Sequence, residues 1–254
     1  PKFPMPPYLY YCLTQPDERF VTMAVTTIDT IFKSGSYDQL AGGVHRYATD
    51  PAWQIPHFEK MLYDQALVCY CATLAHERTG HPSMLACAEG IAMFCKHQLL
   101  APDGTWYSAL DADSEGEEGT YYLWRYHEIL ALFGEKLGRE VADYFAIPPA
   151  GLLHLAGKAT LHPLAQDGPP PAWYREVTGV LLTHRQKREL PLIDTKRLTA
   201  WNGLMMAALA RLAITVPDSW YGDAALTTWH ALQRELHDPQ IGFLHSSGRF
   251  PHPQ

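Results

Sequence analysis

Apolar residues recur at intervals of three and four along most of this chain. Over 17–33 they fall at Phe20, Met23, Ala24, Ile28 and Ile31, which is one face of a helix. Asp17 supplies an N-cap and Gly35 a stop. A longer apolar pattern runs over 57–79 and ends at Gly80. Pro82, suited to a first helical turn, opens the next one, which reaches about residue 100. With only Gly80 and His81 between them, these two helices must be antiparallel neighbours, a helical hairpin. Residues 105–110 and 120–124 read as two short strands around the acidic stretch 111–119. Short helices follow over 125–133 and 135–145. Residues 147–171 carry Pro148, Pro149, Pro163 and the run Pro169-Pro170-Pro171, and read as loop. Helical spacing resumes over 172–189, 199–214 and 218–236, and 242–247 reads as a last short strand. About eight or nine helices with one small hairpin make the fold all-α with insertions, in a helix–turn–helix rhythm.

Composition narrows the class. Of 254 residues, 47% are hydrophobic, enough to bury a sizeable core and to exclude a disordered chain. Lys and Arg number 20 against 27 Asp and Glu, a net charge of −7. The basic footprint of a nucleic-acid binder is missing, and anionic membrane surfaces are poor partners. No apolar run approaches the 18 to 20 or so residues of a membrane span; the richest, 61–75, is broken by Asp64 and Gln65. Nor does a basic segment with an apolar core open the chain, so no signal peptide is expected, and its start at Pro1 reads as a cut or processed end. Cys12, Cys69, Cys71, Cys87 and Cys95 form no C-x-x-C pair. An odd count lying mostly in apolar helical patterns reads as buried free thiols in a reducing compartment. The expected location is cytoplasmic.

In a helical-hairpin array the connecting loops carry function, and three loop-to-helix junctions concentrate reactive groups. The first is Gly42-Gly43-Val44-His45-Arg46-Tyr47, followed by Trp53 and by His57-Phe58-Glu59-Lys60-Met61-Leu62-Tyr63-Asp64. On a helix, His57, Lys60 and Asp64 would share one face and Glu59 and Tyr63 another. This junction reads equally as a plain helix start, with Glu59 at the positive end and Lys60–Asp64 a weak surface pair. The second is Asp111-Ala112-Asp113-Ser114-Glu115-Gly116-Glu117-Glu118-Gly119. Its carboxylates repel one another unless a cation, an arginine or a substrate offsets them. A calcium loop of the EF-hand kind would need an acidic ligand where Tyr122 stands. A solvated acidic turn, another oxygen-ligand site for calcium or magnesium, or a carboxyl raised by crowding into a general acid remain as readings. The third is Asp194-Thr195-Lys196-Arg197-Leu198-Thr199-Ala200-Trp201-Asn202-Gly203. Thr199 would cap the helix and place Trp201 and Asn202 in its first turn. An aromatic plate beside an amide suits a polyhydroxylated ligand, although plain packing uses the same residues. The scattered histidines make no H-E-x-x-H spacing, so no metal site is assigned and no cofactor is expected. G-x-S-x-G, Walker A and G-x-G-x-x-G are missing as well.

These segments, with Lys2-Phe3-Pro4 at the start and Leu198-Thr199-Ala200-Trp201-Asn202-Gly203-Leu204-Met205 toward the end, resemble the spermatogenesis-associated protein 20/YyaL family. The strings are long and keep the family's order over almost the whole chain. The resemblance implies a thioredoxin-like domain followed by a six-hairpin (α/α)6 toroid, similar to glycosidases and N-acylglucosamine 2-epimerases. Residues 1–254 would be one incomplete (α/α)6 toroid with a small β-hairpin insertion, starting after the thioredoxin-like domain and stopping before the toroid closes. Gly157-Lys158-Ala159-Thr160-Leu161 departs from the family's Asn-rich turn, so no ligand contact is placed there.

The convergence of His, Arg, Glu, Asp and Trp on loops leads to a carbohydrate-active enzyme of hydrolase or epimerase type, binding a small carbohydrate. His57 or Glu59 is the expected general base and Asp111 or Asp113 the general acid. His45 and Arg46 would orient the substrate, with Trp53 and Trp201 stacking on the sugar ring. Asp64, Glu115 and Asn202 complete the expected substrate contacts. An epimerase would use His45 and His57. The rival reading is a non-catalytic binding or regulatory module attached to the thioredoxin-like domain.

Overall fold

Helical spacing becomes eight α-helices in the computed structural model, which describes residues 1–163, 169–217 and 219–246. They are α1 Pro6–Thr14, α2 Glu18–Phe32, α3 Leu62–Thr79, α4 Pro82–Gln98, α5 Tyr126–Tyr144, α6 Tyr174–Arg185, α7 Thr199–Thr215 and α8 Trp220–Glu235. Nine two-residue strands accompany them among the described residues: β1 Tyr47–Ala48, β2 Pro56–His57, β3 Lys60–Met61, β4 Ala109–Leu110, β5 Asp113–Ser114, β6 Glu117–Glu118, β7 Ile193–Asp194, β8 His237–Asp238 and β9 Gly242–Phe243. The expected helix start at Asp218 and strand end at Ser247 lie outside the described residues. Among those residues, no helix is long and apolar enough to cross a membrane. The chain divides into two units. The first comprises Pro1–Pro4, Asp29–Glu59 and Asp111–Leu192; the second comprises Met5–Ile28, Lys60–Leu110 and Ile193–Gln254.

In the second unit α3 is the central helix. Leu62, Ala66, Val68, Cys69, Cys71, Ala72, Leu74 and Ala75 are all buried, more than one stripe of the helix surface, as expected of a helix surrounded by others. It packs against α1, α4 and α7, and α7 packs against α8. Gly80 ends α3 in the left-handed conformation at φ 69°, and Pro82 starts α4, so the expected hairpin is present. The short α1 is not visible as a period; Pro6 and Pro7 at its start are its one local sign. Thr199 does not cap α7. It is the first helical residue, and its hydroxyl donates to the Leu244 carbonyl at 2.5 Å.

The expected helix over 57–79 is corrected at its start: α3 begins only at Leu62. His57 lies in β2 and Lys60 in β3, so the helical face shared by His57, Lys60 and Asp64 does not exist. Backbone pairing explains the change. Tyr47 pairs with His57 in β1–β2, and Lys60 and Met61 pair with Leu110 and Ala109. β4 then pairs onward with β7. Lys60, a surface residue in the plain helix-start reading, is fully buried with its ammonium 4.2 Å over the Phe94 ring.

The first unit buries Trp124, Ile129, Val141, Ala142, Phe145, Ile147, Val177 and Leu181 around α5 and α6. The two helices expected over 125–145 are the halves of α5, broken at Gly134 (φ 74°, ψ 173°). The middle strands are a second correction. Only 109–110 of the segment 105–110 forms a strand, and 120–124 is a turn whose Trp124 bridges Ala159. The hairpin is the acidic stretch itself, with Asp113 opposite Glu118 and Ser114 opposite Glu117.

Candidate acid–base site

Two glycines shape the approach to the site. Gly42 and Gly43, at φ 78° and 86°, turn the chain so that His45, Arg46 and Tyr47 run back along 56–59. The Arg46 N–H donates to the Glu59 carbonyl at 2.8 Å, and the Arg46 guanidinium pairs with the Glu59 carboxylate at 2.8 Å. His45 is buried, its Nδ1 3.0 Å from the Phe58 carbonyl and its ring edge-on to Phe58 and Tyr122. Tyr47 stacks on His57 at 4.8 Å, and Phe3 lies against Tyr47.

The acidic hairpin meets this segment through Glu118. Its Oε1 lies 2.6 Å from His57 Nδ1 and also accepts the Phe58 N–H at 3.1 Å. A carboxylate only accepts, so Nδ1 carries the proton toward Glu118, which leaves Nε2 as the ring nitrogen free to exchange a proton. That Nε2 lies 3.7 Å from Glu59 Oε2, and the His57 side chain is 26% exposed. The ring is thus flanked by two carboxylates and open to solvent. Gly119 permits the approach: at φ +77°, a Cβ there would stand 2.5 Å from the Phe58 ring.

Beneath the site, Asp38 and Arg185 form a buried ion pair at 2.7 Å. Burial alone would lower the Arg185 pKa, but the Asp38 carboxylate outweighs it and raises the value. Burial, with the Asp38 charge second, pushes the Tyr122 phenol far up. Both residues line, with Gly35, His45 and Thr160, a cavity of about 20 Å³, which is water-sized and too small for a sugar ring.

The expected site residues divide. His45, Arg46, His57 and Glu59 come together. Asp111 and Asp113 are exposed at the base of the hairpin; the Asp111 carboxylate accepts the Ala112 N–H at 2.7 Å. Glu115 is exposed at the tip with φ 55°. Trp53 does not offer a stacking face: it is 4% exposed, with the Lys2 ammonium 4.6 Å over its ring. Asp64, Trp201 and Asn202 belong to the second unit. Asp64 is buried in α3, and Trp201 is half-buried, edge-on to Tyr63. Asn202 is fully buried and engaged with backbone. It accepts the Trp106 N–H at 2.7 Å and donates to the carbonyls of Trp106 and Leu198, each at 3.0 Å. Its amide is a structural tie and has no donor left for a hydroxyl. Glu118 is the residue that sequence reasoning passed over. The signal was available in Gly116 and Gly119, which mark the turn and the end of a hairpin whose register places Glu118 opposite Asp113. Among the described residues, no three His, Cys, Asp or Glu side chains gather as a metal site.

Helical hairpins joined by short strand pairs define the class: the (α/α)6 six-hairpin fold. An inactive variant of an α-1,6-mannanase of Salegentibacter sp., in complex with α-1,6-mannotetrose, superposes with a TM-score of 0.56 and 13% identity, covering 95% of this chain and 50% of that one. A family 76 glycoside hydrolase from a bovine Bacteroides thetaiotaomicron strain gives 0.51 and 12%, covering 87% and 32%. At such identities the likeness is one of fold. Sequence comparison goes further. Spermatogenesis-associated protein 20 of Homo sapiens is 30% identical over 252 aligned residues, covering 83% of this chain and 32% of that protein. An uncharacterised protein of Caenorhabditis elegans is 28% identical over 239, covering 81% and 33%. The chain is homologous to spermatogenesis-associated protein 20 and spans about a third of the length of these curated relatives. No family model matches it.

Proposed function

We propose that this chain carries an acid–base site for carbohydrates in which His57 transfers the proton. The observation that carries the reading is the 2.6 Å contact between His57 Nδ1 and Glu118 on a partly exposed ring. A carboxylate on Nδ1 holds the tautomer and stabilises the imidazolium formed when Nε2 takes a proton. Glu59, tethered by Arg46, stands beside Nε2 and steadies the same charge. Glu118 thereby orients the ring from the acidic stretch, a different role from the general acid expected of Asp111 or Asp113. Tyr47 and Phe3 supply an aromatic edge against which the apolar face of a sugar packs. The six-hairpin fold, shared with glycosidases, supports a sugar substrate by analogy, and the mannotetrose bound by one fold neighbour suggests which sugars to try first.

The test is turnover of α-1,6-mannooligosaccharides and of a panel of reducing disaccharides, followed by product analysis for hydrolysis and for epimerisation. Wild-type protein is expected to form product, and His57→Gln to lose about 10²- to 10⁴-fold in rate. A folded protein that converts none of these sugars, or a His57→Gln variant with the wild-type rate, overturns the proposal. A sugar that raises the melting temperature without being converted assigns the chain instead to the binding-module class.

A further inference from the structure

A contact between two surface-loop side chains holds its geometry only if the loop carrying each is itself fixed. His57 is fixed by strand pairing with Tyr47. Glu118 lies on a two-strand hairpin of two residues each, which is marginal alone. Two ties reach this hairpin and the turn after it from one short segment after α6. The Ser114 hydroxyl donates to the Glu189 carbonyl at 2.5 Å. One residue earlier, Arg188 Nη1 donates to three carbonyls of the turn that follows Glu118: Thr120 at 3.3 Å, Tyr121 at 3.1 Å and Leu123 at 2.7 Å. The guanidinium carbon lies 4.2 Å over the Trp124 ring, and Nη2 stands 3.6 Å from Glu128. The turn is also bonded to itself, with the Tyr122 and Leu123 N–H groups donating to the Gly119 carbonyl. Gripping its outward carbonyls therefore fixes the residue next to Glu118.

We propose that Arg188 is a positioning residue that holds Glu118 against His57 by gathering the carbonyls of Thr120, Tyr121 and Leu123. The inference rests on the His57–Glu118 contact of the proposed function. Arginine suits the task because a planar fork spreads its donors and lies flat on an indole, whereas an ammonium is a point charge.

The experiment is proton and ¹⁵N NMR of the His57 ring in ¹⁵N-labelled protein, with the signals assigned by their loss in His57→Gln. A downfield Nδ1–H resonance is expected in the wild type and its loss in Glu118→Gln. Arg188→Ala is expected to lose or broaden it while keeping the wild-type near-ultraviolet circular dichroism. Arg188→Lys is expected not to restore it, and Ser114→Ala to weaken it. Wild-type resonances in folded Arg188→Ala overturn the proposal. Should Arg188→Ala fail to fold, Arg188→Lys and Ser114→Ala decide by the same signal. An unchanged signal in Glu118→Gln removes the contact itself, and with it both the site reading and this inference.

Discussion

Asn202 and the peptide of Trp106 exchange hydrogen bonds as two strand residues do, with Nδ2 bonding Leu198 besides. Nothing local distinguishes such an amide from one that binds a hydroxyl; its partner lies 96 residues away. Asn202→Ala would leave a buried N–H and a buried C=O without partners, at about 2–4 kcal/mol in total. A urea unfolding midpoint unchanged from wild type would refute the structural role. The Asp38–Arg185 pair makes the same point with charge. Its members are 147 residues apart, and both side chains are almost fully buried. Removing one partner, as in Asp38→Ala, is expected to cost about 3–5 kcal/mol, and replacing both with apolar residues much less. A double-mutant cycle in which the single effects simply add would show that the two act independently.

At the scale of elements, two glycines separate backbone strain from collision. Gly134 breaks α5 at φ 74° and ψ 173°, where an added Cβ would meet nothing within 4 Å. Gly134→Ala should therefore cost only the conformational penalty, about 1–3 kcal/mol. Gly119 has a positive φ as well, but its Cβ would run into Phe58. Gly119→Ala is expected to cost more, and to shift the acidic hairpin so that the His57 ring loses Glu118. Comparing the two unfolding midpoints checks the order; equal losses would mean that the Phe58 contact is unimportant. The break at Gly134 could be anticipated from the chain alone, because it interrupts a local pattern. The start of α3 could not. Residues 57–61 carry helical spacing, yet their backbones find partners in Tyr47 and in 109–110, and a pairing partner is invisible to a period count.

Over the whole molecule, burial sets which groups respond to the solvent. Burial pushes the Cys69 and Cys71 thiols up to about 12, and Cys87 and Cys95 are buried too, while Cys12 is only partly so. One thiol is expected to react with Ellman's reagent in the native protein and five after unfolding; rapid native reaction of more than one would contradict this burial. Burial also holds His162 below the ordinary histidine value of 6.5. Above that pH the ring is neutral both folded and unfolded. As the pH falls through 6.5, the unfolded chain takes up its proton first, so stability declines from there to the folded value and then levels. His162→Phe should flatten that limb of the melting profile. At Asp103, burial alone would raise the carboxyl, but hydrogen bonds from Thr105 and Arg197 outweigh it and hold it below 3.8. Its contribution is present above 3.8 and is lost as the pH falls toward the folded value.

What the chain determined by itself is what short-range patterns encode. Helix-forming spacing set α2, α4, α5, α7 and α8 nearly to their ends, and Gly80 and Pro82 set the junction of α3 and α4. Apolar surroundings also marked four of the five thiols for burial. The clustering of His45, Arg46, His57 and Glu59 was readable for the same reason, since these residues lie within fifteen positions. Tertiary structure alone decided that His57 sits on a strand, that Glu118 and not Asp111 or Asp113 reaches it, and that Trp53 and Asn202 serve packing. Each of those outcomes depends on a strand partner, a ring or a carbonyl brought from a distant part of the chain. The free energy of such a pairing belongs to both segments at once, so neither segment's own sequence displays it.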